Sequence, residues 1–453
     1  MNIGAIVDSQ KAFFRSGETL ARDFRRAQLR KLLSALYSWE DTLCDALKED
    51  LHKSPEEAYM TEISMVRGEI RNQLRHLRSR MRRSRVSTPL AHFPCRGYEV
   101  MEPLGTVLIV SPWNYPVQLL LSPLAGAIAA GCTAVLKTSP SAPAVSAVLR
   151  RMIEECFRPE YVAVVEGHRE VNEELFARRF DLVFLTGSPE LGKVAMKAAA
   201  EHLTPVVLEL GGKSPCIVDS EADLKVAARR IAWGKTLNAG QTCIAPDYLL
   251  LHEDIKDAFV EAFRQALAEL HGPDIRKSSH YARIVSDRAF GRLTSYLRQG
   301  RIVAGGRTDA AGRFIEPTLL DGVDPDSPVM QEEIFGPVFP IVTWRSPEEV
   351  EEFVRSREKP LALYYFGNVR SGRELAGRCS SGGACINDCI MHIVNERLPF
   401  GGVGNSGMGA YHGRYSFEAF SHRRAIVETP TWIDLPFRYM PYKAIRLVRK
   451  ILR

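Results

Sequence analysis

Short apolar runs alternate with helical stretches along most of this chain, and that alternation limits the folds it can adopt more than any other feature. In the first half, the apolar runs of strand length lie at residues 107–110, 134–136, 161–165, 182–185 and 205–208. The helical stretches between them lie at residues 117–130, 142–156, 171–177 and 190–201. Strands that alternate with helices form a parallel sheet covered by helices on both faces. This half therefore predicts a doubly wound α/β unit.

A second alternating set follows the first. Its members are residues 216–218, 248–251, a helix at 255–270 and a run at 338–344. Ahead of both sets, residues 5–80 carry apolar side chains at helical spacing. Residues 82–101 and the stretch after about residue 412 fit neither pattern. We therefore expect two α/β units that join near Glu209, with two irregular segments outside them.

The composition is that of a large globular protein without disulfides. Of the 453 residues, 45% are apolar and 25% are charged, and the nine cysteines are odd in number and irregularly spaced. No charged-then-apolar leader opens the chain and no run approaches about 18 apolar residues, so we expect a cytoplasmic protein with free thiols. Cys385, Cys389 and His392 do not have a zinc spacing, and we predict no metal site.

Charge is nearly balanced in sum but uneven along the chain. Arginines crowd residues 67–85, without the aromatic residues or the module that a nucleic-acid site requires, so we expect a solvated helix face and no nucleic acid. Residues 441–453 are basic, with Ile445, Val448 and Leu452 at helical spacing. Such an amphipathic tail fits either an anionic membrane surface or a groove of this protein or of a partner subunit.

Two short segments carry candidate chemistry. Cys243 lies in Gly240-Gln241-Thr242-Cys243-Ile244, and Glu209 lies in Leu208-Glu209-Leu210-Gly211-Gly212-Lys213. A thiol is the best side-chain nucleophile near neutral pH, and a nearby carboxylate can deprotonate either that thiol or a water. Each residue also has an ordinary structural explanation, since most cysteines are small buried apolar residues.

Other motifs add weight to this pair. They are residues 111–116 (Ser-Pro-Trp-Asn-Tyr-Pro), 137–140 (Lys-Thr-Ser-Pro), 186–188 (Thr-Gly-Ser), 332–337 (Glu-Glu-Ile-Phe-Gly-Pro) and 399–409 (Pro-Phe-Gly-Gly-Val-Gly-Asn-Ser-Gly-Met-Gly). In order and spacing, from about residue 5 to about residue 430, the chain resembles the aldehyde dehydrogenase superfamily. The short N-terminus and the late glycine-rich motif are similar to its class 3 branch.

The resemblance implies an aldehyde dehydrogenase-like α/β fold, with two doubly wound domains and a bridging or oligomerisation arm. It assigns residues 1–81 and 102–208 to an NAD(P)-binding domain and residues 209–411 to a catalytic domain. Residues 82–101 and 412–440 form the arm, and a homodimer is the expected assembly.

Two glycine motifs compete for the cofactor's diphosphate. Residues 402–407 match G-x-G-x-x-G, but no strand precedes them, and we interpret them as a flexible loop beside the substrate entrance or the arm. Gly187, Ser188 and Gly192 follow an apolar run and open a helix, where backbone N–H groups face an anion. The resemblance also assigns the second motif to the diphosphate.

Further cofactor contacts follow from the resemblance. Lys137 binds the ribose of the adenosine half, Glu333 the nicotinamide ribose, and Phe335 and Trp113 lie beside the cofactor. Pro140 departs from the family, which usually has a glutamate there that binds ribose hydroxyls and disfavours a 2′-phosphate. We therefore expect NAD or NADP as cofactor, with NADP accepted.

The resemblance also implies a mechanism. Cys243 attacks the aldehyde, Asn114 and the backbone N–H of Cys243 stabilise the oxyanion, and Glu209 activates the water that hydrolyses the thioester. Tyr115, Trp233, Thr242, Met391, His392 and Ile393 are candidate substrate contacts. Medium- or long-chain aliphatic or aromatic aldehydes are the expected substrates. The alternatives are a charged semialdehyde held by His392 or Arg397, a CoA-acylating relative, which Glu209 argues against, and a catalytically idle structural or membrane-associated relative.

Overall fold

The structure is a computed structural model that describes residues 2–89, 92–434, 439–441, 445–446 and 449. Strands are numbered here in chain order: β1 (Ser84–Val86), β2 (Arg96–Pro103), β3 (Thr106–Val110), β4 (Thr133–Lys137), β5 (Val162–Val165), β6 (Leu182–Thr186), β7 (Val206–Glu209), β8 (Pro215–Val218), β9 (Tyr248–His252), β10 (Arg301–Ala304), β11 (Thr308–Asp309), β12 (Phe314–Ile315), β13 (Thr318–Asp321), β14 (Val338–Trp344), β15 (Ala362–Phe366), β16 (Gly383–Ile386), β17 (Gly407–Met408) and β18 (Ser421–Glu428).

Helices are numbered in the same way: α1 (Ile3–Arg15), α2 (Arg22–Ser38), α3 (Glu40–Leu51), α4 (Pro55–Ala58), α5 (Ser64–Arg80), α6 (Gln118–Ala130), α7 (Pro143–Cys156), α8 (Arg169–Phe176), α9 (Pro189–Ala200), α10 (Leu224–Thr236), α11 (Lys256–His271), α12 (Asp287–Tyr296), α13 (Pro328–Gln331), α14 (Pro347–Arg355), α15 (Val369–Arg378) and α16 (Arg414–Ala419). A π-helical turn, Tyr59–Ile63, joins α4 to α5.

The first sheet confirms the predicted alternation. Its order is β17-β7-β6-β3-β4-β5, and all neighbours are parallel except β17, which is antiparallel to β7. The chain winds from β3 through β4 to β5 and then returns to the other side of β3 for β6 and β7. In open α/β sheets, ligands bind at the carboxyl ends of the strands beside such a reversal. This places the candidate site near the ends of β3 and β6.

The second sheet has the order β10-β13-β14-β9-β8-β15-β16, parallel except for β10 at one edge. The sequence analysis named only β8, β9 and β14 among these strands. Strand β15 lies between β8 and β16, and its five residues are all buried. Strands buried on both faces lack the alternation that marks a half-exposed strand. Together, the two sheets form the α/β architecture that the sequence predicts.

The N-terminal helices lie over both faces of the first sheet, because α1 shares a core with Leu108, whereas α2 and α5 share one with Ile109. Helix α1 contacts β4, and helices α2 and α5 contact each other and α6. Leu29, Leu32 and Leu36 of α2 are fully buried, so the apolar stripe seen in the sequence faces this core. The π-helical turn before α5 brings Glu62 into the interior, where it is fully buried.

The two segments outside the alternating pattern pair with each other. Strand β2 is central in an antiparallel sheet of order β1-β2-β18, with residues 421–428 running opposite residues 96–103. Helix α16 precedes β18 in the chain and belongs to the predicted arm. It packs against α6, so this part of the predicted arm lies on the body of the protein. The predicted domain boundaries remain predictions, and β17, within residues 209–411, belongs to the first sheet.

The predicted basic tail, residues 441–453, lies outside the described residues except for Pro441, Ile445, Arg446 and Arg449. Within the described ranges, helices that combine the length and the apolar character needed to cross a bilayer are absent. All nine cysteines are free thiols.

Candidate active site

A cavity of about 1350 Å³ lies at the carboxyl ends of the first sheet and reaches the second. Nine of the ten predicted site residues line it: Trp113, Asn114, Lys137, Gly187, Ser188, Glu209, Cys243, Glu333 and Phe335. The tenth, Gly192, does not. It is buried under the first turn of α9, where a Cβ would lie 2.9 Å from Leu210 Cδ2, so its role in the structure is close packing of the helix against the sheet.

Glu209 is the last residue of β7, and its buried position disfavours the charged form of its carboxyl group. Glu209 is 2% exposed, and among the residues that the structure describes neither of its carboxylate oxygens has a hydrogen-bond partner. Burial without a partner penalises the charged form and raises the pKa of this carboxyl well above its usual range. A carboxyl group held in this way is suited to accept a proton rather than to form a structural ion pair.

The late glycine-rich segment holds Glu209 in place. Gly407 of β17 pairs with Glu209, and the Leu210 N–H donates to the Ser406 carbonyl at 3.0 Å. A Cβ at Gly407 would lie 2.2 Å from the Leu208 carbonyl oxygen, so only glycine fits at this crossing. The predicted flexible loop at residues 402–407 is therefore partly wrong. Its end is an edge strand, although Gly404 does line the cavity.

Cys243 follows a tight turn after α10. Asn238 and Ala239 adopt left-handed backbone conformations, with φ of 50° and 53°, and Gly240 has φ of 75°. A Cβ at Gly240 would lie 2.5 Å from the Gly336 carbonyl oxygen, which explains the glycine. The Gln241 side chain then fixes the turn, since it donates to the Asn238 carbonyl at 3.0 Å. The turn thus presents Cys243 to the cavity on a fixed backbone.

The Cys243 thiol is protonated in this environment. Burial, followed by the nearby carboxylates of Glu333 and Glu209, raises the pKa of Cys243 to about 12. The backbone N–H groups of Cys243 and Ile244 lower this pKa, and they are the preset donors nearest the sulfur. Deprotonation therefore needs a base or an added positive charge in the cavity.

The side-chain amide of Asn114 is held by one hydrogen bond from its nitrogen, and its second N–H remains available. Its Nδ2 donates to the Gln241 carbonyl at 3.1 Å, and its buried Oδ1 has no hydrogen-bond partner in the described part of the chain. An amide nitrogen has two N–H donors, so a second donor remains for an oxygen bound beside Cys243. Asn114 and the Cys243 loop are thus tied directly to each other.

Glu333 and Gly211 are in contact on the opposite wall. Burial raises the pKa of Glu333 to about 8, with a further increase from Asp247. The Lys213 ammonium donates to Asp247 and to the Glu332 carbonyl at 2.8 Å, and so fixes the segment that carries Glu333. Phe335 follows in a left-handed conformation, and its ring lies 5.4 Å from the Trp113 ring in an edge-to-face arrangement.

The cavity has the features that bind a dinucleotide. The 12-residue helix α9 begins at the cavity wall, with Ser188 as its N-cap and Pro189 at its first position. Burial lowers the pKa of Lys137 to about 8, and its Nζ donates to the Gly167 carbonyl at 2.8 Å. The Thr186 hydroxyl in the same wall is buried and has no hydrogen-bond partner within the described ranges. An NAD or NADP molecule fits this donor set.

The predicted substrate contacts lie outside this cavity. Tyr115 is buried, and its hydroxyl lies 2.6 Å from Thr242 Oγ1, next to Cys243. Burial lowers the pKa of His392 to about 4, so its imidazole is neutral, and its Nδ1 lies 3.3 Å from Cys385 Sγ. The other candidates are Trp233, Met391 and Ile393, of which Met391 is exposed.

Sequence reasoning missed several residues that support the site. Lys53, Glu57, Glu62 and Asn238 are buried around the Asn114 and Cys243 turns. In the sequence, Ser54 followed by Glu57 three residues later has the form of a solvent-exposed helix start. Ser54 does cap α4, since its side chain accepts from the Glu57 N–H, but Glu57 is buried. Charged residues in helical segments are normally exposed, so the sequence contained no signal for their burial.

Comparisons with known proteins agree over nearly the whole chain. The aldehyde dehydrogenase family matches residues 1–426. The chain is 47% identical over 436 residues to 4,4′-diaponeurosporen-aldehyde dehydrogenase of Staphylococcus aureus, covering 96% of this chain and 95% of that protein. It is 44% identical over 442 residues to a dog aldehyde dehydrogenase described as dimeric and NADP-preferring, covering 97% and 98%.

Solved structures show the same fold. A substrate-bound Staphylococcus aureus AldH has a TM-score of 0.98 at 45% identity, with 100% of both chains covered. Betaine aldehyde dehydrogenase from Staphylococcus aureus, solved with NAD⁺, has a TM-score of 0.85 at 26% identity, covering 96% and 88%. The chain therefore belongs to the aldehyde dehydrogenase family and oxidises aldehydes with NAD or NADP.

Proposed function

We propose that Cys243 is the nucleophile, Glu209 the water-activating base and Asn114 the oxyanion donor of this oxidation. The observation that carries the proposal is the position of Glu209. Its unpartnered, buried carboxylate lines the same cavity as Cys243 and influences the pKa of that thiol. Three groups from three separate segments of the chain thus line one cavity, which a purely structural role would not require.

The reaction follows from these positions. The Cys243 thiolate attacks the aldehyde carbon, and the resulting thiohemiacetal oxyanion accepts hydrogen bonds from the Asn114 amide and the Cys243 backbone N–H. When bound, the nicotinamide ring supplies the hydride acceptor, and Cys243 then carries the acyl group as a thioester. Glu209 takes a proton from the water that attacks the thioester carbonyl. The carboxylic acid leaves, and the Cys243 thiolate is released.

Cofactor binding is assigned to the walls of the cavity. Gly187 and Ser188 face the diphosphate, Lys137 the adenosine ribose, and Glu333 the nicotinamide ribose. Trp113 and Phe335, whose rings are in contact, lie beside the cofactor. Gly192 is assigned to helix packing, because it does not reach the cavity.

We propose that the substrates are long-chain apolar aldehydes. The relative at 47% identity is named for a 4,4′-diaponeurosporen-aldehyde. A charged semialdehyde would need a cationic anchor, and neither residue considered for this role suits it. His392 is neutral at physiological pH because burial lowers its pKa to about 4. Arg397 is exposed and lines a separate groove with Asn395 and Glu396.

The remaining assignments concern assembly and location. We propose a homodimer bridged by the arm of residues 82–101 and 412–440, supported by the printed name of the dimeric relative and by the pairing of β2 with β18. Static light scattering tests it, and a mass of one 50.7 kDa chain would refute it. The nine free thiols support a cytoplasmic location.

Reduction of NAD and NADP, followed by absorbance, tests the proposed site and substrate class together. Hexanal, hexadecanal, benzaldehyde and succinic semialdehyde are offered separately to the wild type, Cys243→Ala and Cys95→Ala. We expect kcat/KM to be highest with hexadecanal and turnover to be lost only in Cys243→Ala. Activity that survives Cys243→Ala would refute the site. A preference for succinic semialdehyde would refute the substrate class alone.

A further inference from the structure

A fully buried ion pair lies directly behind the proposed oxyanion donor. Lys53 Nζ donates to Glu62 Oε1 at 2.7 Å, and both side chains are 0% exposed. Burying two charges is costly, and replacing such a pair by apolar residues is often neutral or stabilising. Stability alone therefore gives a weak account of this pair, and its other contacts indicate what it does.

Both members of the pair hold the turn that carries Asn114. Lys53 Nζ also donates to the Asn114 carbonyl at 2.8 Å and lies 3.9 Å from the centre of the Tyr115 ring. The other oxygen of Glu62 accepts from the Val117 N–H at 2.8 Å, just before α6. The ion pair thus fixes the turn from Asn114 to the start of the helix.

The same carbonyl connects this turn to the Cys243 loop. Asn238 Nδ2 donates to the Asn114 carbonyl at 3.0 Å and to the Gln241 carbonyl at 3.1 Å. The Asn238 N–H in turn donates to Glu57 Oε1 at 2.8 Å, which holds Asn238 in its left-handed conformation. The Asn114 carbonyl is therefore shared by Lys53 and Asn238, one from each side.

We infer that Lys53 is a positioning residue for aldehyde oxidation, which fixes the Asn114 amide relative to Cys243 through the Asn114 carbonyl. This inference rests on the proposed role of Asn114. An oxyanion donor acts only if it is preset at hydrogen-bonding distance from the developing charge. A displacement of about 1 Å can cost about 100-fold in rate. Lys53 does not line the cofactor cavity, and its hydrogen bond to the Asn114 carbonyl is the contact through which it acts on the oxyanion donor.

A double-mutant cycle separates this role from a structural one. Lys53→Met, Asn114→Ala and the double variant are compared with the wild type by kcat and by the rate of the first turnover. We expect Lys53→Met alone to lower both rates by about 10- to 100-fold. In the Asn114→Ala background the same substitution is expected to change the rates by less than about twofold, because the group it positions is already absent.

Arg67→Met is the matched control. Arg67 lies in α5, is 4% exposed, pairs with Glu40 and donates to the Leu36 carbonyl at 2.8 Å, and these partners lie outside the proposed site. We expect it to lower the melting temperature and leave kcat within about twofold of the wild type. The Kd for NADP should stay within about twofold in both variants, because neither residue lines the cofactor cavity.

The inference is overturned if Lys53→Met lowers the rates by the same factor with and without Asn114, or if its kcat matches that of Arg67→Met. If Lys53→Met does not fold, Lys53→Met/Glu62→Gln replaces it in the same cycle, since this double variant removes both charges of the ion pair. Failure of the proposed site itself gives a different result, because Asn114→Ala would then retain wild-type rates.

Discussion

The carboxylate of Glu333 occupies the space that a side chain at Gly211 would need. A Cβ on Gly211 would lie 2.0 Å from Glu333 Oε2, whereas a Cβ on the adjacent Gly212 would have its nearest atom, Leu361 N, at 3.4 Å. Neither glycine has a left-handed backbone, so alanine is allowed by conformation at both. The two glycines of the Leu-Glu-Leu-Gly-Gly-Lys motif therefore differ in purpose. Gly211 makes room for a predicted cofactor ligand.

Gly211→Ala should weaken cofactor binding. Overpacking costs about 1–3 kcal/mol, so we expect displacement of Glu333 to raise the Kd for NADP by about tenfold or more. Quenching of tryptophan fluorescence measures this Kd. Gly212→Ala is the control and should stay within about twofold of the wild type. Equal Kd values for the two variants would contradict the contact.

Glu209→Gln should uncouple the two halves of the reaction. Glutamine keeps the shape of the side chain but cannot accept a proton from water, so the thioester should form and then persist. We expect a burst of about one reduced cofactor per subunit, followed by steady turnover slowed by about 100-fold or more. Stopped-flow absorbance measures the burst, and mass spectrometry locates the acyl group on Cys243.

Glu190→Gln provides the comparison for this experiment. Glu190 lines the same cavity at the start of α9 but lies on the exposed side of the helix. Glu190→Gln should turn over at the wild-type rate, with no fast first turnover followed by a slower steady state. Wild-type steady turnover in Glu209→Gln would exclude Glu209 as the base.

The raised pKa of Cys243 predicts how its alkylation depends on pH. The thiolate is the reactive form, and burial together with Glu333 and Glu209 raises the pKa to about 12 in the cofactor-free protein. Below that pKa, each unit of pH increases the thiolate fraction about tenfold. We therefore expect the iodoacetamide rate at Cys243 to rise from pH 7 to pH 10 without a plateau. Cys243→Ser gives the background of the other thiols, and a plateau near pH 8 would contradict the assignment.

Pro140 should determine whether a 2′-phosphate is accepted. It lines the cavity near Lys137 and offers no charge. Pro140→Glu places a carboxylate there, and repulsion of a phosphate should lower kcat/KM for NADP by about tenfold or more, with a smaller change for NAD. Pro140→Gln introduces a side chain of nearly the same shape as that in Pro140→Glu, but without the charge. It should leave the ratio of kcat/KM for NADP to kcat/KM for NAD close to that of the wild type. An unchanged ratio in Pro140→Glu would show that the phosphate lies elsewhere.

The sequence predicted those helices and strands that are determined by neighbouring residues in the chain. The helix predicted at residues 142–156 is Pro143–Cys156, and the run at 182–185 is the strand Leu182–Thr186. Proline at a first helical position and short apolar runs are signals that do not depend on distant residues. The motifs around Glu209 and Cys243 likewise placed both residues in one cavity.

The features that the sequence did not reveal depend on contacts between residues that lie far apart in the chain. Strand β15 is buried on both faces and lacks the alternation that marks a half-exposed strand. Lys53 and Glu62 have residue types that are normally exposed, and only the packing of the π-helical turn against α6 shows that this pair lies behind Asn114. Gly192 matched a phosphate motif, but the contact with Leu210 gives it a packing role.

The pairing of Gly407 with Glu209 has a consequence for the newly synthesised enzyme. Translation proceeds from the N-terminus, and the strand that ends at Glu209 is made roughly 200 residues before the one that covers its edge. Until then that edge has unpaired backbone groups. The ribosome must therefore extend the chain by roughly 200 residues beyond Glu209 before the proposed base is seated. A nascent chain that already displays Cys243 has no finished catalytic centre with which to consume an aldehyde.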